Sequence, residues 1–219
     1  MIRGAIFDMD GTILDSNRLW DFVPIRYLAR QGITAEPGIS KKIFTMTLPE
    51  AIDYLIRTYG LKKTPEEVKT GIDELCLEMY EQDAPVKPGV LTLLEGLRDR
   101  GVPMAVATVT DRPMVEAALK KHGILEMFAG IVTAADVGAG KHEPLIFLKA
   151  AEMISCRPDE TLVFEDGLHA IRTAKNADFP TVGVFDEESA NAQEEIKSTS
   201  TYYLKDFSRC DEFLKEIFR

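Results

Sequence analysis

An α/β fold, a doubly wound parallel sheet with an all-helical domain inserted near its start, is what this 219-residue chain predicts. Three observations carry that reading. The apolar run Ala5-Ile6-Phe7 has the continuous hydrophobicity of a strand buried on both faces. From Lys87 onward, helical and strand patterns alternate, which implies right-handed crossovers and a parallel sheet covered on both sides. Between about residues 15 and 83 there are helical patterns and no alternating strand. Three strand residues cannot form a sheet alone, so the first strand joins the later ones and the helical block interrupts them. The predicted domains are an α/β core of residues 1-14 and 85-219 and a helical cap of residues 15-84. The two junctions are expected close together at the end of the sheet where the first strand stops, so that the insertion covers that end as a lid.

Taken in order, Ala5 to Phe7 is the opening strand, and Asn17 to Gln31 reads as the first helix. Thr47-Leu48-Pro49-Glu50 fits a capping box, with Ile52, Leu55, Ile56 and Tyr59 following at helical spacing. Thr64-Pro65-Glu66-Glu67 repeats that signature with Pro at the first helical position, and Val68, Ile72, Leu75 and Met79 share one face. In the second half, helices are expected at Pro88 to Arg100, Arg112 to His122, Glu143 to Ile154 and His169 to Asp178. The strands expected there are Pro103 to Thr108, Gly130 to Thr133, Thr161 to Phe164 and Thr181 to Phe185. Tyr202 to Leu204 adds a short last strand and Asp206 to Phe218 closes the chain.

Composition narrows the function. At 45% hydrophobic the chain can bury a sizeable core. A formal net charge of −10 argues against binding along nucleic acid or an anionic membrane surface, both of which need clustered Lys and Arg. Cys76, Cys156 and Cys210 are few, odd in number and widely spaced, which makes neither a metal-ligand cluster nor a disulfide framework and fits a reducing cytoplasm. No apolar run approaches a membrane span, and the chain enters its first strand without a signal peptide.

The chemistry gathers at strand ends. Asp8 and Asp10 follow the first strand, and Gly11 supplies the turn that lets two acids spaced one residue apart serve one ligand, directly or through a carbonyl. Thr108 ends Met104-Ala105-Val106-Ala107, Lys141 follows the flexible Gly138-Ala139-Gly140, and Glu165-Asp166 ends Leu162-Val163-Phe164. Singly, each has a structural reading: a turn-capping acid, a helix-cap hydroxyl, a solvated lysine. Together, carboxylates, a hydroxyl and an ammonium at the carboxyl edge of a parallel sheet suit Mg²⁺ and a phosphate, because hard oxygen ligands and substrate phosphates are what Mg²⁺ takes.

The order Asp8-Met9-Asp10-Gly11-Thr12, Thr108, Lys141, Glu165-Asp166 resembles the four motifs of the haloacid dehalogenase superfamily, in its β-phosphoglucomutase-like and phosphoglycolate phosphatase-like branch with a helical cap. The resemblance spans essentially the whole chain. It implies a Rossmann-like sheet with the first strand central, and a Mg²⁺-dependent hydrolase of a small phosphomonoester, of the sugar phosphate class, acting through an aspartyl-phosphate. By the same resemblance Asp8 is the nucleophile and Asp10 the general acid and base. Mg²⁺ is held by the Asp8 side chain, the Asp10 carbonyl and Asp166, with Glu165 helping through water. Thr108, the Val109 N–H and Lys141 hold the phosphoryl oxygens, and the relatives imply a monomer. The chain departs from the family at Lys141-His142-Glu143, where many relatives have Lys-Pro, and at Gly167, where they often have Ser. Trp20 stands where the mutase subgroup has a hinge histidine, and although a lone Trp in an amphipathic helix also serves packing, it is expected near the mouth of the site.

The closest rival is a phosphomutase of the β-phosphoglucomutase type, which shares every core residue and differs in what accepts the phosphoryl group. The missing hinge histidine, and the absence of Arg between Gly38 and Ile56, favour water as acceptor. A receiver domain carries its phosphorylated aspartate on a later strand and is about half this length. A non-catalytic binding protein of the same fold tends to lose one of the first two acids, and both stand here.

Overall fold

The computed structural model describes residues 1–219. They divide into two compact units, Met1–Asp15 with Pro85–Arg219, and Ser16–Ala84.

In chain order, β1 (Gly4–Phe7) is followed by the helical unit, α1 (Leu19–Arg30), α2 (Ile39–Ile43), α3 (Leu48–Tyr59) and α4 (Pro65–Gln82). Both capping boxes form: the Thr47 N–H donates to Glu50 at 2.8 Å and the Thr64 N–H to Glu67 at 2.7 Å, satisfying amides that the first helical turn leaves orphaned. Helices α1 and α4 pack with Tyr27 buried over Gly71, where a Cβ would lie 2.9 Å from the Tyr27 ring. The ion pairs Arg26–Asp83 and Arg30–Glu78 link their exposed sides. Trp20, on α1, stands edge-on to Tyr80 of α4 with ring centroids 6.3 Å apart and remains 43% exposed. The short α2, which no sequence pattern announces, starts behind Gly38 at φ 82° and buries only Ile39.

The α/β unit continues with α5 (Val90–Arg98), β2 (Met104–Thr108), α6 (Arg112–Lys121), β3 (Gly130–Thr133), α7 (Ala134–Val137), α8 (Leu145–Met153), β4 (Thr161–Glu165) and α9 (Leu168–Asn176). It ends with β5 (Thr181–Val184), α10 (Gln193–Thr199), β6 (Tyr202–Leu204) and α11 (Cys210–Ile217). All six strands are parallel, in the order β3-β2-β1-β4-β5-β6. The first strand is central, and the winding reverses between β1 and β4.

On one face of the sheet Ile6, Ala105, Ala107 and Val163 pack against Ile146, Phe147 and Ala150 of α8 and Ala170 and Ala174 of α9. The many alanines allow the helices to approach the strands closely. On the other face Phe7 and Phe164, paired in register, stack at 4.3 Å, and Phe164 meets Phe213 of α11 edge-on at 6.0 Å. The two crossings to the helical unit run side by side: Lys87 N–H donates to Ile13 C=O and Asp15 N–H to Pro85 C=O, each at 2.9 Å. Helix α10 was not expected; with Ile196 its sole buried residue it carries no amphipathic stripe, and Gly183 lets it lie against β5 because a Cβ there would come within 2.7 Å of Ile196.

Candidate active site

Strand register explains why the charged residues converge. Phe7 pairs with Phe164, so Asp8 comes level with Glu165 one residue further along, and the Asp8 N–H donates to Phe164 C=O at 3.0 Å. Side chains alternate across a strand, so the two phenyl rings on one face put the two carboxyls towards the other. This is the point where the winding reverses, and a crevice opens there beyond the strands' carboxyl ends. After Asp8 the chain turns sharply: Met9 C=O accepts from the N–H groups of Thr12, Ile13 and Leu14, and Gly11 takes φ 79°, a left-handed conformation that a Cβ disfavours.

Lys141 reaches into this crevice from the loop between α7 and α8. It is 4% exposed and forms ion pairs with both Asp8 and Glu165, the second at 2.7 Å. The other Glu165 oxygen accepts the Gly167 N–H at 3.0 Å, so this acid buttresses the lysine as well as the turn after β4. Asp166 lies beside them, and single oxygens of Asp8, Glu165 and Asp166 all fall within 4.8 Å of one another.

The electrostatics follow from burial. Desolvation raises the Asp8 carboxyl to about 8 despite the pull of Lys141, with Glu165 and Asp10 adding to the rise. Asp166 is raised well above the ordinary carboxylate range by burial and by the charges of Glu165, Asp8 and Asp186. Burial works against charge on Lys141 too, but Asp8 and Glu165 outweigh it and hold the ammonium above its usual range. Glu165 goes down, because Lys141 overcomes its desolvation. A site that accumulates buried oxygen ligands and disfavours the ionised form of two of them is one where a hard divalent cation fits, and Mg²⁺ suits this donor set.

The neighbouring strand adds hydroxyls. Thr108, fully buried at the end of β2, accepts the Thr110 N–H at 3.1 Å, while Val109 between them is 60% exposed. The Thr110 hydroxyl donates to Asp10 Oδ2 at 2.6 Å. Thus Asp8, Lys141, Glu165 and Asp166 form one group, and Thr108 and Asp10 are joined through Thr110. Trp20 belongs to the other unit.

Sequence reasoning overlooked three features. Thr110 was visible in the period-two pattern Thr108-Val109-Thr110, which puts both hydroxyls on one side. Asp186 follows the apolar run of β5, the same signal that marked the other acids, and its carboxylate pairs with Lys87 at 2.8 Å. The stacking of His142 on His169, with centroids 4.6 Å apart, joins the loop before α8 to the first turn of α9, and no pattern could have shown it.

Comparison with known proteins agrees with this geometry. The family model of the haloacid dehalogenase-like hydrolases matches residues 2–178. Validoxylamine A 7'-phosphate phosphatase of Streptomyces hygroscopicus subsp. limoneus is 29% identical, over 88% of this chain and 90% of its own. The phosphorylated carbohydrates phosphatase of Thermotoga maritima is 25% identical, over 80% of this chain and 82% of its own. Among solved structures, a family IA haloacid dehalogenase hydrolase of Entamoeba histolytica superposes with a TM-score of 0.76 over the whole of both chains at 22% identity, which speaks for the fold. The chain belongs to the haloacid dehalogenase-like hydrolases and is an enzyme of their phosphatase kind.

Proposed function

We propose that this protein is a Mg²⁺-dependent phosphomonoester hydrolase that acts on a small phosphorylated metabolite of the sugar phosphate class, through an aspartyl-phosphate on Asp8. The observation that carries the proposal is the buried group in which Lys141 bridges Asp8 and Glu165 beside Asp166, at the reversal point of a parallel sheet. The name of the Thermotoga maritima relative, a phosphatase of phosphorylated carbohydrates, supports the substrate class.

Asp8 attacks phosphorus in line, its oxygen forming the new P–O bond as the ester bond breaks, and hydrolysis is divided into two easier steps. Lys141 and the Thr108 hydroxyl, with the Val109 N–H, stabilise charge on the equatorial oxygens. Asp10 gives a proton to the departing oxygen and later takes one from the attacking water. Asp8, Asp166, the Asp10 carbonyl and Glu165 are the groups that would hold Mg²⁺, which supplies charge neutralisation for attack by an anion on a phosphate dianion. Glu165, with both oxygens engaged by Lys141 and Gly167, serves from outside the immediate ligand set. Trp20 is assigned to ester selection.

Phosphate release from a panel of small phosphomonoesters, with Mg²⁺ or EDTA and with Asp8→Asn as control, tests the proposal. Release that requires both Mg²⁺ and Asp8 is the expected result, and Trp20→Ala is expected to reorder the esters. A coupled assay for glucose 6-phosphate from either anomer of glucose 1-phosphate, primed with the bisphosphate, runs in parallel. Isomerisation without release would replace the hydrolase by a mutase.

A further inference from the structure

We infer that Thr110 is a positioning residue for Asp10, holding its carboxyl in one orientation beside the reacting groups. The inference rests on Asp10 being the general acid and base, and it adds the group that orients it.

Thr110 is buried, and its two polar groups face two members of the site. Its N–H donates to the Thr108 hydroxyl oxygen at 3.1 Å, and its own hydroxyl donates to Asp10 Oδ2 at 2.6 Å. A threonine hydroxyl has a single proton to give. With that proton directed at Oδ2, the carboxyl is held in one orientation. The amide contact has a matching effect on Thr108: one of its lone pairs is occupied, and its O–H proton is left to donate elsewhere. The segment between β2 and α6 therefore ties the hydroxyl assigned to the phosphoryl group to the carboxyl assigned to the leaving group.

The chemistry places this device at two moments. In the first step the Asp8–phosphorus bond forms, the ester P–O bond breaks, and the ester oxygen takes the proton from the Asp10 carboxyl. In the second, water forms the new P–O bond, Asp8 departs, and the water proton returns to the Asp10 carboxylate. Misalignment of the carboxyl slows whichever step needs proton transfer and leaves phosphoryl binding to other residues.

The leaving group separates these effects. An alkyl phosphate must be protonated as it departs, whereas p-nitrophenolate leaves without a proton, and kcat/KM reports the first transfer. Thr110→Val is expected to lower the ratio of kcat/KM for an alkyl phosphate to that for p-nitrophenyl phosphate roughly tenfold or more, as loss of a hydrogen bond to a charged group predicts. Thr110→Ser restores the ratio, and Thr110→Val adds no further change in an Asp10→Asn background. Equal losses on both esters, no rescue by Ser, or a multiplicative loss in the Asp10→Asn background overturns the inference. Should Thr110→Val fail to fold, judged by its melting point, Thr110→Ala carries the same comparisons. Asp10→Asn alone tests the reading underneath: if it is indifferent to the leaving group, Asp10 is not the acid, and that failure is distinct from a failure of Thr110.

Discussion

Removing the divalent cation should make the stability of this protein depend on pH in one direction, with Asp8 setting the size of the effect. Its carboxyl is raised from 3.8 to about 8 in the folded state, chiefly by burial. The folded protein thus holds a proton that the unfolded chain has released. Stability from this group is complete below 3.8 and is lost as pH rises through about 8. At about 1.4 kcal/mol per unit, the three units from pH 5 to 8 amount to about 4 kcal/mol, with Asp166 acting in the same sense. Glu165 does not offset this, because a lowered carboxyl loses its contribution only as pH falls below its ordinary value of 4.5. Lys141, raised, contributes throughout the window and loses its part only above its ordinary 10.5. For a chain of this length about 4 kcal/mol corresponds to a fall in melting temperature on the order of 10 °C. The assay is thermal unfolding in EDTA from pH 5.5 to 8.5, for the wild type and Asp8→Asn. The wild type should fall with pH while Asp8→Asn stays flatter and becomes the more stable protein at pH 8. Excess Mg²⁺, which favours the ionised carboxyls, should stabilise the wild type more at pH 8 than at pH 5.5. Parallel curves for the two proteins would refute the reasoning.

Asp8→Asn should abolish turnover, whereas Asp10→Asn should lower it by several orders of magnitude while still forming the phosphoenzyme with an activated ester; intact mass would reveal the trapped phosphoryl group. Lys141→Ala should destabilise the fold by about 3–5 kcal/mol at neutral pH, because it strands buried acids without their cation, and denaturant unfolding measures this. Phe164→Ala, which removes the ring stacked on Phe7 and edge-on to Phe213, should cost about 3–5 kcal/mol in the same assay. At Gly89, φ is 88° and a Cβ would lie 2.6 Å from Phe207 C=O, so Gly89→Ala should cost about 1–3 kcal/mol without altering kcat.

Most of the sheet was legible because each of its central strands is buried on both faces and therefore reads as an unbroken apolar run between turn residues. That is also why the acids stood out: charge directly after such a run has to be used or neutralised. The helices that escaped notice, α2, α7 and α10, bury at most one residue each, and periodicity has nothing to register when so little of a helix faces the core. The site divides in a similar way. Residues that end the strands were found, Asp186 after β5 excepted, but their partnerships were not, since these depend on register and loop path. Glu165 illustrates the difference. Its position marked it as an acid beside a metal, yet its two oxygens are given to Lys141 and to the Gly167 amide.

Charge decides the order in which such a site can fill. Ionised Asp8, Glu165 and Asp166 set against the single ammonium of Lys141 leave the buried group with an excess of two negative charges, and in a low-dielectric crevice an anion would be repelled. Protonation of Asp8, which burial favours up to about pH 8, relieves part of that excess in the free protein, but a protonated Asp8 is no nucleophile. A divalent cation held by Asp8 and Asp166 would cancel the same two charges without a proton on Asp8, leaving Lys141 and Thr108 to receive a phosphate dianion. Under the proposed function, with Asp8 as the nucleophile, the burial that raises its carboxyl calls for the cation, and metal binding before substrate is the order that this proposal predicts. Inorganic phosphate binding followed by calorimetry at pH 9, where Asp8 is ionised, should accordingly be strong with Mg²⁺ and much weaker in EDTA, and equal binding in both would mean that Lys141 alone carries the anion.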